Sequence, residues 1–266
     1  DASFGFSNVL TAVRADALVF NSAFHQSAFA AAARELLARL PRPNPRSDFD
    51  RALEASLVIA PAPMLRETPL GPGGAKDSPL RIVFPHRLEP DKDPVTFARA
   101  VGAATARGAR IEVTLTGGRR DSARAEIAAA LACIDEHVRS NSFLDSRADF
   151  VAALGRADVV VSTARHEFFG IGFAEAMATG CTPLAPAREN YPGLLSGYQP
   201  EPSDLPGGLY RTEGELTSAL CRLAEQPARL RTSEVRRANR GAILDLDAEH
   251  AVKALDDLVE RICASA

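Results

Sequence analysis

Two glutamates, Glu167 and Glu175, stand eight positions apart, with Phe168-Phe169-Gly170-Ile171-Gly172-Phe173-Ala174 between them. Carboxylates accept hydrogen bonds from hydroxyl groups, so a spaced pair can grip two parts of one polyhydroxylated ligand. The mostly apolar run from Ala157 to Val161 predicts a buried strand, Ser162 to Glu167 a polar loop, and Phe169 to Thr179 a helix stopped by Gly180. A glycine-containing turn that feeds a helix start offers free backbone N–H groups and the positive end of a dipole, which suits a diphosphate. Glu175 then falls about a turn and a half into the helix, on the side reached by a ligand at its start. Glu167, on the preceding loop, faces the same space. Read by spacing alone, a glycine near a helix start and a glutamate on an exposed face are also ordinary helix features.

A basic element upstream favours the chemical reading. Arg87 and Lys92 lie in Arg87-Leu88-Glu89-Pro90-Asp91-Lys92-Asp93-Pro94, after the strand-like run Leu80 to Phe84 and before a helical pattern from Pro94 to Arg107. They therefore belong on a loop at the C-terminal edge of a parallel sheet, where open α/β folds bind ligands. Arginine supplies a fork for phosphate oxygens and lysine a mobile point charge, so the pair can neutralise a departing nucleoside diphosphate.

The elements that must carry these residues alternate along the chain. Strands are expected at Ala17 to Asn21 and Ser56 to Ala60, with a helix from about Ala23 to Leu40 between them and a proline-rich loop from Pro41 to Arg46. Pro61-Ala62-Pro63 and Pro69 to Gly74 have the composition of a hinge. Beyond Leu80 come strand Leu80 to Phe84, helix Pro94 to Arg107, strand Ile111 to Thr116, helix Asp121 to Val138, and a strand near Asn141 to Phe143. Helix Ser146 to Leu154, strand Val159 to Ser162, the glycine-led helix and strand Thr182 to Ala185 follow. Helices Glu213 to Glu225, Pro227 to Gly241 and Ala248 to Cys263 close it. This alternation predicts an α/β fold with a doubly wound parallel sheet.

Composition bounds the class. The 266 residues are 46% hydrophobic and 24% charged, which fits a globular enzyme with a sizeable core. Net charge is −3, against a strongly basic nucleic-acid footprint, although a local patch is compatible with it. Cys133, Cys181, Cys221 and Cys263 have no Cys-x-x-Cys spacing and read as reduced, mostly buried thiols. Neither a signal peptide nor an apolar run of membrane-spanning length is visible, so a cytoplasmic location is expected.

Arg87 with Lys92, the glutamate pair and the following Ala176-Met177-Ala178-Thr179-Gly180 together resemble the C-terminal domain of retaining nucleotide-sugar glycosyltransferases of GT-B architecture. A closer similarity runs through nearly the whole chain. The stretches Phe84 to Pro94, Ala15 to Ser22 and, most specifically, Ala157-Asp158-Val159-Val160-Val161-Ser162-Thr163-Ala164-Arg165-His166-Glu167-Phe168-Phe169-Gly170 look like the tRNA-queuosine α-mannosyltransferase family. That resemblance implies GDP-mannose as donor, retention at the anomeric carbon, and the cyclopentene-diol of queuosine in tRNA as acceptor. It implies residues 1–63 as the end of an acceptor-side N-terminal domain, a linker at 64–78, a donor-binding domain at 79–247 and a terminal helix at 248–266 packing back toward the first. On it, only the last part of the N-terminal domain is expected here, so acceptor groups and further catalytic residues are expected elsewhere. Glu167, Arg87 and Lys92 become the catalytic candidates. Gly117, Leu144, His166, Phe169, Gly170 and Glu175 join them as donor contacts, Glu175 toward the ribose. No cofactor or metal is expected.

Other motifs keep two readings. Asp245-Leu246-Asp247 has metal-binding Asp-x-Asp spacing, but it precedes a helix, where aspartate caps; capping is favoured. His86 and His166 flank the candidate residues as direct contacts or supporting hydrogen-bond partners. His25, His137 and His250 lack ligand spacing. Thr116-Gly117-Gly118 ends a strand, either to admit a nucleotide or simply to turn. Arg119 and Arg120 read as a solvated pair, and Phe168 as core. The alternative functions are a glycosyltransferase of the same fold with a lipid or polysaccharide acceptor, and a nucleotide-binding module without turnover.

Overall fold

The computed structural model describes residues 2–61, 63–118, 123–141, 144 and 146–265. The chain divides into two units, one of residues 1–62 with 248–266 and one of residues 63–247.

In the first unit, helices α1 (Ala2–Arg14), α2 (Ala23–Ala38) and α3 (Arg46–Glu54) surround a parallel pair of short strands, β1 (Val19–Phe20) and β2 (Leu57–Val58). Ser22 starts α2 by accepting the His25 backbone N–H at 3.1 Å. Val9, Ala12, Ala33, Leu37 and Phe49 form the buried core. Helices α1 and α3 are absent from the sequence expectation: Gly5 and polar residues interrupt the apolar stripe of α1, and α3 is mostly charged and buries one residue, Phe49.

The second unit is built on six parallel strands: β3 (Leu80–Arg87), β4 (Ile111–Gly117), β5 (Val138–Asn141), β6 (Val159–Val161), β7 (Thr182–Pro186) and β8 (Gly208–Tyr210). Their order is β5-β4-β3-β6-β7-β8, so the chain winds outward from β3, returns to β6 beside it, and winds outward the other way. The point of return lies between β3 and β6, and there the loops beyond the strand ends diverge and leave a crevice. Helices α4 (Pro94–Ala106), α5 (Ala125–Ala132), α6 (Arg147–Gly155), α7 (Ile171–Ala178), α8 (Tyr191–Leu194), α9 (Glu213–Glu225), α10 (Pro227–Leu230) and α11 (Ser233–Gly241) complete the unit, and α12 (Ala248–Ser265) follows.

The sheet forms because β3 and β6 are buried on both faces, which demands continuous apolar runs instead of alternation. Phe84 stacks on Phe97 of α4 at 4.6 Å between centroids, and Leu216, Leu220 and Leu223 of α9 extend the same core. The single helix expected from Pro227 to Gly241 is instead two. Thr232 is extended and accepts the Val235 N–H at 3.3 Å, starting a new helix and leaving Arg231 to reach inward. The helix expected from Asp121 to Val138 ends at Ala132, and the strand expected near Asn141 to Phe143 runs earlier, from Val138 to Asn141. Arg119, Arg120, Asp121, Ser142 and Phe143 lie outside the described residues.

Of the cysteines only Cys181 is buried; Cys133 and Cys263 are exposed on helix ends and Cys221 is intermediate, all as free thiols. Burial pushes the Cys181 thiol up to about 11. The hinge-like stretch holds a definite hydrogen bond, Gly71 N–H donating to Thr179 O at 2.9 Å.

Candidate functional site

Three loops meet at the C-terminal edge of the sheet, after β3, β6 and β7. The first two are stitched together through main chain. Arg165 N–H and His166 N–H both donate to Asp91 O, at 2.7 and 3.2 Å. Thr163 Oγ1 lies 2.9 Å from Lys92 O and 2.8 Å from Asp93 O. Asp93 adopts a left-handed backbone (φ 49°), caps α4 by accepting Thr96 N–H at 3.2 Å, and pairs with Arg165 Nε at 2.9 Å. The turn that ends β3 is thereby fixed against the turn that ends β6.

This stitching brings Lys92 to Glu167. Lys92 Nζ lies 3.1 Å from Glu167 Oε2, 2.7 Å from His166 O and 3.2 Å from Asp91 Oδ2, with both side chains largely buried. The other Glu167 oxygen accepts Phe169 N–H at 3.3 Å. Gly170 opens α7 with φ 95°, a conformation that costs an L residue but not glycine, and has no side chain to cap the helix start. No side chain caps the first N–H groups of α7, which start next to Glu167 with the helix dipole behind them.

Arg87 ends β3 with its side chain two-thirds exposed, 2.9 Å from Glu89. Glu175 is buried, and Arg147 Nη1 of α6 lies 2.8 Å from its Oε1. Leu144 is half-buried after β5. A Cβ on Gly117 would lie 1.8 Å from His86 O, so backbone packing of β4 on β3 itself requires that glycine. Phe169 is buried, whereas Phe168, expected in the core, is 47% exposed. The reason is the turn into α7, which faces the two side chains in different directions and buries one of them.

His166 is mostly exposed, with Nδ1 3.9 Å from Glu189 Oε2. His86 is buried against Phe84, its Nε2 has no hydrogen-bond partner, and burial together with the nearby Lys92 charge pushes its imidazole down to about 3. Asp247 sits just before α12, and its carboxylate accepts Arg66 N–H at 2.7 Å. No cluster of three or more His, Cys, Asp or Glu suited to a metal occurs among the described residues. Nor is any helix among them long and apolar enough to cross a membrane.

The sequence reading missed the supports: Thr163, Asp93, Glu189, Asn190 and the pair Ser162 and Tyr191, whose hydroxyls lie 2.5 Å apart. Asp93 and Thr163 stand in stretches already singled out, but nothing local distinguishes a loop-to-loop bond from an ordinary cap.

Residues 70–199 match the model for glycosyl transferases group 1, and residues 1–63 match that for the tRNA-queuosine alpha-mannosyltransferase N-terminal region. The chain resembles the tRNA-queuosine alpha-mannosyltransferase family over its first 63 residues and the group 1 glycosyl transferases over residues 70–199. A tRNA-queuosine alpha-mannosyltransferase of Drosophila melanogaster is 28% identical over 244 residues, which are 85% of this chain and 60% of that protein. Among solved structures, sucrose-phosphate synthase of Thermosynechococcus elongatus superposes with a TM-score of 0.71 at 20% identity, covering 100% of this chain and 63% of that one. Anabaena HepE, in complex with UDP and glucose, gives 0.73 at 17% identity, covering 98% and 68%. The fold is that of the GT-B glycosyltransferases. The chain spans about 60% of the length of its curated relative.

Proposed function

We propose that this chain carries the donor site of a retaining transferase that moves mannose from GDP-mannose to queuosine in tRNA. The observation that carries the reading is the Lys92 to Glu167 contact at the β3/β6 crevice, beside the open start of α7. Cleavage of a sugar–phosphate bond builds negative charge on the departing diphosphate. Lys92, Arg87 and the N–H groups around Gly170 are the fixed positive partners for it. Glu167 orients the sugar hydroxyls while its bond to Lys92 holds its carboxylate in place. In this reading Glu175 takes the ribose, for which Arg147 must yield or share its carboxylate. Phe169 and Gly170 lend backbone, and His166 and Leu144 line the approach. The protein side supplies enough positive charge that no metal is invoked.

The name of the Drosophila relative supports mannose and queuosine, and the cations at the crevice support a nucleotide-sugar donor. A UDP-linked donor is the alternative favoured by HepE, which was solved with UDP. Mass analysis of tRNA nucleosides after incubation of the full-length gene product with GDP-mannose or UDP-sugars decides. A hexose gain on queuosine, with GDP-mannose alone, is expected. Transfer from a UDP-sugar only, or equal transfer to tRNA lacking queuosine, overturns the assignment.

A further inference from the structure

We propose that Glu189 is a positioning residue of this site, fixing the backbone of Glu167 and through it the carboxylate that meets Lys92. Glu189 lies on the loop from β7 to α8, at the same sheet edge as the other two loops. Its backbone is left-handed (φ 56°), and among the described residues only Asp93 shares that conformation without being glycine. The two strained residues flank the Lys92 to Glu167 contact. Asp93 compensates by capping α4; at Glu189 the strain is supported by the bonds of its neighbours Arg188 and Asn190 together with the one its own side chain makes.

What it does is face Glu167. Glu189 Oε2 accepts the Glu167 N–H at 3.3 Å and lies 3.9 Å from His166 Nδ1, with only 19% of the side chain exposed. Its neighbours hold the same stretch. Asn190 N–H donates to Glu167 O at 3.3 Å, Asn190 Nδ2 to Phe169 O at 3.0 Å, and the Arg188 guanidinium to Thr163 O and Ala164 O, each at 2.9 Å. Residues 163–169 therefore hang on residues 188–190. The bonds from Arg188 and Asn190 are to carbonyl oxygens, which leaves Glu189 as the side chain that holds the N–H of Glu167 itself. Its loss frees the start of the residue whose carboxylate must stay between Lys92 Nζ and Phe169 N–H.

The inference rests on Glu167 as a donor contact, and two measurements keep the two ideas apart. The first is amide hydrogen exchange at Glu167 in the ligand-free protein. Glu189→Ala and Glu189→Gly should speed it about tenfold, while Glu189→Gln, which keeps an acceptor oxygen, should stay within about twofold of the wild type. The second is turnover of GDP-mannose. Alanine and glycine variants should lose about tenfold in kcat with GDP affinity within about twofold, and glutamine should restore most of the rate. Glycine relieves the backbone strain, so a loss that it shares with alanine does not come from the left-handed conformation. Unchanged exchange in the alanine variant overturns the proposal, as does a glycine variant equal to wild type, or a glutamine variant as impaired as alanine. If the wild type does not bind GDP, the donor assignment fails while exchange still decides the role of Glu189.

Discussion

Strand β6 has a carboxylate-and-cation cluster at each end. At its start, Asp158 is fully buried, and every one of its lone pairs has a use. Arg81 reaches it through backbone N–H at 3.0 Å and through its guanidinium, and Arg231 through two guanidinium nitrogens at 3.1 and 2.8 Å. Burial works to raise the Asp158 carboxyl, but the bonds from Arg81 and Arg231 outweigh it and hold it below the usual carboxylate value. At the far end, Lys92 and Glu167 also pair, yet Arg87 is largely exposed and His86 Nε2 has no partner. Helix α7 repeats the contrast. Its C-terminal carbonyls receive Arg236 at Thr179 O and Arg240 at Ala178 O, whereas its N-terminus starts at a glycine with nothing to cap it. Charges closed on themselves hold the fold; charges left partly open are available to a ligand.

The largest effect is expected from breaking the closed end. Asp158→Asn leaves Arg81 and Arg231 without a counter-charge and should cost about 3 to 5 kcal/mol in chemical denaturation. Because the folded carboxyl titrates below its unfolded value, its contribution is complete above about pH 4 and fades as pH falls through the folded value. The variant should therefore lose less stability than wild type on acidification in that range.

At the open end the two glutamates should separate by job. Glu167→Gln should lower kcat by about 10 to 100-fold with a smaller change in nucleotide affinity, because sugar contacts count chiefly in the transition state. Glu175→Ala should weaken GDP itself, and equal losses of binding and rate in both variants would remove that division of labour.

A subtler handle is His86. Its folded imidazole resists protonation until about pH 3 while an unfolded one takes a proton near 6.5, so wild-type stability is full above pH 6.5 and declines between those values. Replacement by phenylalanine, which suits the ring cluster with Phe84, should flatten that decline in denaturation curves across the interval. The smallest effect is expected from Phe168→Ala, below about 0.5 kcal/mol for a half-exposed ring, against about 3 kcal/mol or more for buried Phe169.

How far these contrasts were legible in the sequence depends on range. The parallel sheet was readable because β3 is apolar over Ile82 to Phe84 and β6 over Val159 to Val161, and the candidate residues Arg87, Lys92, Glu167 and Gly170 could be picked out because each stands in a short local motif. Asp158 gave no signal, since its two arginines lie 77 and 73 positions away. Glu189 was invisible for the same reason: its partner Glu167 is 22 positions off, and a left-handed glutamate has no sequence signature. Phe168 reads as core from its type, yet the turn at Gly170 decides which of the two rings is buried, and it buries Phe169. Strand β8 escaped because Gly208-Leu209-Tyr210 is too short to show a period.

The central claim is that the open end at Lys92 is a diphosphate site, and calorimetric titration of GDP tests it most directly. Lys92→Ala should weaken GDP by about 1.5 to 3 kcal/mol, roughly 10 to 150-fold in Kd, the scale of a charged hydrogen bond. Unchanged GDP affinity in a folded Lys92→Ala protein would contradict the account, leaving the Lys92 to Glu167 pair a structural contact like the one at Asp158.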